Sequence, residues 1–304
     1  MVTKETCGDI TWVDMASPTK DEVRTLVEEY AIHPLVVEEL LSPTVRPKVD
    51  VYDNVIYLIL HFPNVAHSHG GEKEQEIDFI IGKNFFVTVH YSLIDSLETS
   101  TRLFSVNAIL KKCDIGSHAG FLFFYLIKEL YENLVRELEY IQIELEKIEN
   151  DIFRGKEHKM VSQISTMSRK LLHFKKAISQ HKPVLESFER AGESFFGKDF
   201  SYYLHAILGE YYKVSTLFEA SKDTLAELKA TNDSLLTTKT NDTMKALTVM
   251  AFIMLPLTLF SSLFSMNTDY LPLVMEKNGF WMIVGIMILL AAVFFLYFKY
   301  KKWF

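Results

Sequence analysis

The sequence has 304 residues, of which 49% are hydrophobic and 23% are charged, and its net charge is −7 with histidine neutral. These values exclude a disordered or collagen-like protein and are typical of a folded chain long enough for two domains. The charge is unevenly distributed: residues 245–304 hold five lysines and two acids, so the first 244 residues carry −10. Because phosphate contacts need an excess of lysine and arginine, this acidic body predicts no nucleic-acid partner and favours cation binding.

Residues 1–110 have the mixed pattern of an α/β domain. Ser17, with Glu22 nearby, predicts the capped start of an amphipathic helix. Three runs have the alternation, or the β-branched and aromatic content, of strands: 9–14, 51–62 and 77–90. The turn residues 82–84 interrupt the third run and predict a hairpin. We therefore predict one α/β domain over residues 1–110.

Residues 111–240 favour helices and predict a stalk. Apolar residues recur at helical spacing over 121–153, and a second helical pattern covers 160–188. A third pattern begins at Tyr202 and has neither glycine nor proline between residues 210 and 255. As one helix of ~60 residues, it would be about 90 Å long. Since so long a helix needs partners along its length, we predict that several helices form the stalk of an oligomer.

Two uncharged segments near the C-terminus, 246–268 and 278–298, are each long enough to cross a bilayer as a helix. A buried helix of a soluble protein is the alternative for either segment alone, but two in succession favour a membrane hairpin. We predict a multi-pass protein of the cell inner membrane. The basic, aromatic tail predicts that both termini lie in the cytoplasm. We predict a transmembrane domain over 241–304, divided into a first span at about 246–266, an external loop at about 267–277, a second span at about 278–298 and a basic cytoplasmic tail at 299–304.

One face of the first span is small, polar or flexible. At 100° per residue, its side chains fall within about 100° of one another: Asn241, Met244, Thr248, Ala251, Leu255, Thr258 and Ser262. Small and hydroxylated residues also pack helices together in lipid, so helix packing is one interpretation. The other is a pore wall, with hydroxyl rings between apolar constrictions at Met244, Leu247 and Leu255. Neither span holds an ionisable residue, which argues against a proton relay.

Ser265, Met266 and Asn267 follow at the outer end of the first span. One interpretation of Asn267 is a helix C-cap, because asparagine tolerates the left-handed conformation. The other is a ring of amide oxygens at a pore mouth. Such a ring would hold Mg²⁺ through its water molecules, because Mg²⁺ gives up water reluctantly. In the loop that follows, the acids Asp269 and Glu276 would attract cations.

Several segments together resemble the CorA magnesium transporter family: Arg46–Asp50 (RPKVD), Asn241–Lys245 (NDTMK), Leu255–Thr258 (LPLT), Met266–Asn267 and Tyr297–Phe304 (YFKYKKWF). The resemblance covers nearly the whole chain. It implies an α+β membrane protein that forms a homopentamer in the lipid bilayer, with a cytoplasmic α/β domain, a long helical stalk and two C-terminal transmembrane helices. It also implies a channel for passive influx of divalent cations, chiefly Mg²⁺ and also Co²⁺ and Ni²⁺, gated by intracellular divalent cation. These ions are cargo and regulators rather than cofactors.

The resemblance also assigns roles to residues. Ser265, Met266 and Asn267 match the selectivity filter, in which Ser265 replaces the glycine of the Gly-Met-Asn signature. Asn267 would hold the hydrated ion. The predicted pore lining and gate combine family positions with the rest of the same face: Asn241, Met244, Leu247, Thr248, Ala251, Leu255 and Thr258. Lys299, Lys301 and Lys302 match a ring of basic residues, the basic collar, that surrounds the cytoplasmic end of the family's pore.

Two alternatives to a magnesium channel stay open. One is a zinc-transporting branch of the same family, which has the same architecture. The other is a non-conducting, membrane-tethered cation sensor or scaffold built on the same helices. An enzyme is not predicted, because motifs such as HExxH, GxGxxG and GxSxG are missing from the sequence.

Overall fold

The structure is a computed structural model that describes residues 2–64, 74–92, 94–110, 116–266 and 278–301. The strands are β1 Val2–Cys7, β2 Ile10–Ala16, β3 Lys48–Val51, β4 Ile56–Phe62, β5 Gln75–Ile81 and β6 Phe85–His90. The helices are α1 Lys20–Tyr30, α2 Leu35–Glu39, α3 Asp95–Ile109, α4 Ala119–Phe153, α5 Glu157–Ile178, α6 His181–Phe196, a 3₁₀ turn Lys198–Phe200, α7 Ser201–Phe264 and α8 Gly279–Tyr300. The chain divides into two compact units, Met1–Lys229 and Ala230–Phe304.

The strands form one sheet in the order β1-β2-β6-β5-β4-β3. Neighbouring strands are antiparallel except β2 and β6, which are parallel. The predicted hairpin is confirmed, because β5 and β6 pair across residues 82–84. The run 51–62 is two strands instead of one, since a turn closed by Tyr52 N–H and the Val55 carbonyl separates β3 from β4. Every residue of β4 and β5 is buried, including the polar residues His61 of β4 and Gln75, Glu76 and Asp78 of β5.

Helices cover both faces of the sheet and bury two apolar layers. On one face, Val23 of α1 and Val36 of α2 pack in a cluster with Tyr57 of the sheet. On the other face, the ring of Phe123 from α4 lies 5.3 Å from Phe79, measured between centroids. The ring of Phe188 from α6 lies 4.9 Å from Phe123. The first unit is therefore built on a three-layer α/β/α core.

The N-cap of the first helix lies two residues after the predicted one. Thr19, and not Ser17, is the N-cap: its hydroxyl accepts a hydrogen bond from Glu22 N–H, and the Glu22 carboxylate accepts one from Thr19 N–H at 2.8 Å. The prediction of Ser17 was wrong because the capping box needs a spacing of three residues to Glu22. Ser17 instead adopts a positive φ of 47° in the connection from β2.

The helical pattern over 160–188 is two helices instead of one. Helix α5 ends at Ile178 and α6 begins at His181. Pro183 lies in the first turn of α6, where its missing N–H is tolerated, but a helix running through it would clash with the carbonyl of Ser179. Helix α6 ends at Phe196, and the next residue, Gly197, caps it with a φ of 97° that suits glycine. The third pattern is confirmed as a single helix, α7.

Candidate functional site

The C-terminal part of α7 presents the predicted strip as an exposed face. Leu255 is 70% exposed, Met244 is 57% exposed and Leu247 is 56% exposed. Asn241, Ala251 and Thr258 are also exposed, whereas Thr248 is half-buried. The strip residues therefore lie together on one side of one continuous helix, available to a partner or to solvent.

A different face of α7 packs against α8. Val249 is fully buried, and the Phe252 ring lies 6.1 Å from the ring of Phe298, which is itself buried. At 100° per residue, Phe252 lies about 80° and Val249 about 140° around the helix from Met244, which is near the centre of the strip. The ring contact with α8 therefore lies beside the strip, on the side of the half-buried Thr248. This packing face was not predicted from the sequence.

The hydroxyl groups of the strip present oxygen acceptors. Thr248 donates its hydroxyl proton to the Met244 carbonyl at 2.7 Å, and Thr258 donates to the Met254 carbonyl at 2.8 Å. With each proton used inside the helix, the remaining lone pairs point away from the backbone. Water molecules around a cation direct their hydrogens outward, so these oxygens suit a hydrated cation.

Ser265, directly after α7, makes two hydrogen bonds to the last turn of the helix. Its N–H donates to the Ser262 carbonyl at 3.2 Å, and its hydroxyl donates to the same carbonyl at 2.8 Å. Among the described residues, the non-glycine positions with positive φ are Ser17 and Ala31. Ser265 is therefore outside the left-handed region that would favour glycine, and serine fits this backbone without that strain.

The family model for CorA-like Mg²⁺ transporter proteins matches residues 8–301. The chain belongs to this family. It is 28% identical over 296 residues to the cobalt/magnesium transport protein CorA of Thermotoga maritima, covering 96% of this chain and 83% of that protein. It is 23% identical over 295 residues to the CorA of Methanocaldococcus jannaschii, covering 96% and 90%. The complete structure of that archaeal magnesium transporter shares the fold, with a TM-score of 0.84 at 19% identity over 100% of this chain and 98% of the other.

The transporter family and the two apolar helices identify this CorA-like chain as a membrane protein. The C-terminal part of α7 and the whole of α8 are long and apolar enough to cross a bilayer. The N-terminal α/β domain, the long helix and two apolar C-terminal helices were all predicted, and the fold of the archaeal structure confirms this architecture.

The remaining predicted site residues of this CorA-like chain divide into two groups. Lys299, in the last turn of α8, and Lys301, which follows it, are exposed. The others lie outside the described residues: Asn267, Asp269, Glu276 and Lys302. Within the described part of the chain, no three histidine, cysteine or acidic side chains gather as metal ligands would. The strip therefore offers hydroxyl, amide and apolar groups to an ion instead of carboxylates.

Proposed function

We propose that this chain forms a homopentameric channel in the cell inner membrane that conducts divalent cations, chiefly Mg²⁺, passively inward. The observation that carries the proposal is the exposed strip of α7, which lies beside the ring contact with α8 and is not covered by it. Five copies of the strip around one axis would make a continuous wall. In that wall, hydroxyl rings from Thr248 and Thr258 alternate with apolar constrictions from Met244, Leu247 and Leu255.

The chemistry of the strip favours a hydrated Mg²⁺ over Zn²⁺. From Asn241 to Met266 the sequence contains neither histidine nor cysteine, which are the preferred ligands of zinc. The acceptor oxygens of Thr248 and Thr258 suit the hydration shell that Mg²⁺ keeps. At the outer end, a ring of Asn267 amides would hold the hydrated ion, and Asp269 and Glu276 would attract it. The relatives from Thermotoga maritima and Methanocaldococcus jannaschii are named for transport of cobalt and magnesium, which supports Mg²⁺ and Co²⁺ as cargo.

The acidic charge of the first 244 residues supports the proposed gating by intracellular divalent cation. The first 244 residues carry −10, so neighbouring copies repel one another. Cations bound between copies would cancel this repulsion and hold the pore shut, and their loss would let the copies separate. Lys299, Lys301 and Lys302 would surround the pore at its cytoplasmic end, where the positive-inside rule puts both termini.

Ser265 is the observation that favours a second candidate, a non-conducting cation sensor with the same helices. Serine replaces the signature glycine next to Met266 and Asn267, and its hydroxyl adds a polar group at the pore mouth. The absence of left-handed strain at Ser265 weakens this alternative, because the backbone does not require glycine there.

Flux through reconstituted protein separates these candidates. Liposomes that hold a Mg²⁺-sensitive dye and the pentamer should take up Mg²⁺ down an inward gradient, whereas empty liposomes should not. Millimolar Mg²⁺ on the side of the large N-terminal unit should lower the influx and protect that unit from protease. An intact pentamer that passes no divalent cation would support the sensor, and Zn²⁺ influx exceeding Mg²⁺ influx would support the zinc branch.

A further inference from the structure

Two carboxyl groups lie side by side on one face of the buried strand β5. Asp78 is fully buried and Glu76 is 6% exposed. Alternate residues of a strand share a face, so both side chains point to the α1 and α2 side, where Tyr57 and Ile80 pack. Two ionised carboxylates two residues apart on one face of a buried strand would repel strongly. We therefore expect one of the two carboxyl groups to be ionised and the other protonated.

Glu76 has the surroundings of the ionised member. Its two oxygens accept from the Thr44 N–H at 2.9 and 2.7 Å, and one also accepts from the Thr44 hydroxyl at 3.2 Å. His61 Nε2 lies 3.1 Å from the other oxygen. An ionised carboxylate is an acceptor only, and every one of these neighbours can donate.

Asp78 has the surroundings of the protonated member. Its Oδ2 accepts from the Tyr57 hydroxyl at 3.1 Å, whereas its Oδ1 is buried and no donor reaches it among the described residues. A buried carboxylate oxygen without a donor leaves its negative charge uncompensated, so this environment favours the neutral, protonated carboxyl group. Burial, and next the negative charge of Glu76, raise the pKa of Asp78 well above its ordinary value.

Other charged groups on this face do not neutralise Asp78. Lys48 of β3 is held by Glu39 of α2 at 2.6 Å and by Asp50 at 2.6 Å. Glu39 adds negative charge near Asp78. Among the described residues, the other titratable groups around the pair are Tyr57 and His61 of β4, Tyr91 after β6, and Glu74. Glu74 pairs with His61 at 3.6 Å and with Lys176 of α5 at 2.9 Å.

We propose that the pair of Asp78 and Glu76 holds one proton, which is on Asp78, and that this proton keeps residues 42–47 bound to the sheet. The bond to the sheet is through Thr44, whose N–H and hydroxyl both donate to Glu76. Loss of the proton would leave two adjacent buried anions. Glu76, the more exposed of the two, would then turn toward solvent and release Thr44. The segment is otherwise open, since Val45 is 91% exposed. This device is independent of the proposed channel.

Infrared spectroscopy on the full chain in lipid tests the shared proton. Wild type at neutral pH should show the carbonyl stretch of a neutral buried carboxyl group, and Asp78→Asn should lack it. Asp50→Asn, a matched change of a paired aspartate on the same face, should keep it. In Glu76→Gln the opposing charge is removed, so the Asp78 band should disappear at a lower pH than in wild type. A wild-type spectrum without a band assignable to Asp78 would overturn the proposal.

Hydrogen exchange tests the fastening of residues 42–47. At a pH where the Asp78 band has disappeared, the backbone amides of this segment should exchange at least about tenfold faster in wild type than in Asp78→Asn. Comparison at one pH removes the intrinsic dependence of exchange on hydroxide. The amide of asparagine can still donate to Glu76, so this variant imitates the protonated state. Equal exchange in the two proteins at that pH would contradict the fastening role.

Discussion

Replacing Ala251 by phenylalanine should lower Mg²⁺ influx into liposomes at least about tenfold, because a pore closes when its wall narrows by a ring of side chains. Ala251 is a small, exposed residue in the middle of the α7 strip. In a pentamer the substitution would place five aromatic rings around the same section of the axis. The measurement is the initial rate of dye response per pentamer under an inward Mg²⁺ gradient.

Ala292→Phe is the matched control for this effect. Ala292 is exposed on α8, which does not carry the strip and which we expect on the lipid side of the pentamer. The same increase in size there should leave influx within about twofold of wild type. Both variants should elute as pentamers. Equal loss of influx in the two variants, or full influx through Ala251→Phe, would show that the strip does not line the conduction path.

The second large effect concerns acid stability and His181. This ring is fully buried, with Nε2 2.7 Å from the His61 carbonyl and Nδ1 2.7 Å from the Tyr131 hydroxyl. The carbonyl can only accept, so Nε2 carries the proton and Nδ1 accepts from Tyr131. Burial lowers the pKa of His181 to about 4. The network joins β4, α4 and α6 while the ring is neutral.

The sign of the pH dependence follows from this lowered pKa. Below about pH 6.5 His181 is protonated in the unfolded chain but stays neutral in the folded chain, so acid favours unfolding. The stability from this group is complete above about pH 6.5, and about 2 kcal/mol is lost at pH 5 and about 3 kcal/mol at pH 4. Urea denaturation of the full chain in detergent at pH 7.5 and pH 5 measures the difference.

His181→Gln isolates the histidine from other acid-sensitive groups. Glutamine can donate to the His61 carbonyl and accept from Tyr131, but it does not titrate. The variant should lose about 2 kcal/mol less than wild type between pH 7.5 and pH 5. His158→Gln, which changes an exposed histidine of α5, should behave like wild type. An identical pH dependence in His181→Gln and wild type would contradict the account of this network.

The sequence predicted elements that depend on local spacing and missed those that depend on tertiary neighbours. The hairpin around residues 82–84 and the unbroken helix α7 follow from turn residues and helical periodicity. The divided helix at Pro183 could also have been predicted, since proline limits the helix that precedes it. Strand β4, which is apolar except for His61, shows no apolar–polar alternation because helices cover both faces of the sheet.

The candidate site shows the same division. Helical periodicity places Met244, Thr248 and Leu255 on one face, and the structure has them there. Periodicity does not say which face of α7 meets α8, because that choice depends on the partner residue Phe298.

The pairing of Asp78 with Glu76 could not be predicted from the sequence either. Polar residues two apart in a strand usually mark a solvent face, and only the fold brings Thr44 over them. The role of Asn267 stays a prediction.

The most direct test of the proposed channel compares Mg²⁺ influx through wild type, Asn267→Ala and Asn278→Ala in the same liposomes. Asn278 precedes α8 as its N-cap, makes no side-chain capping hydrogen bond, and is a matched control for loss of an amide near the same membrane surface. The proposal predicts influx in wild type and in Asn278→Ala, and its loss in an intact Asn267→Ala pentamer. Wild-type influx in Asn267→Ala would contradict an amide ring that admits the hydrated ion.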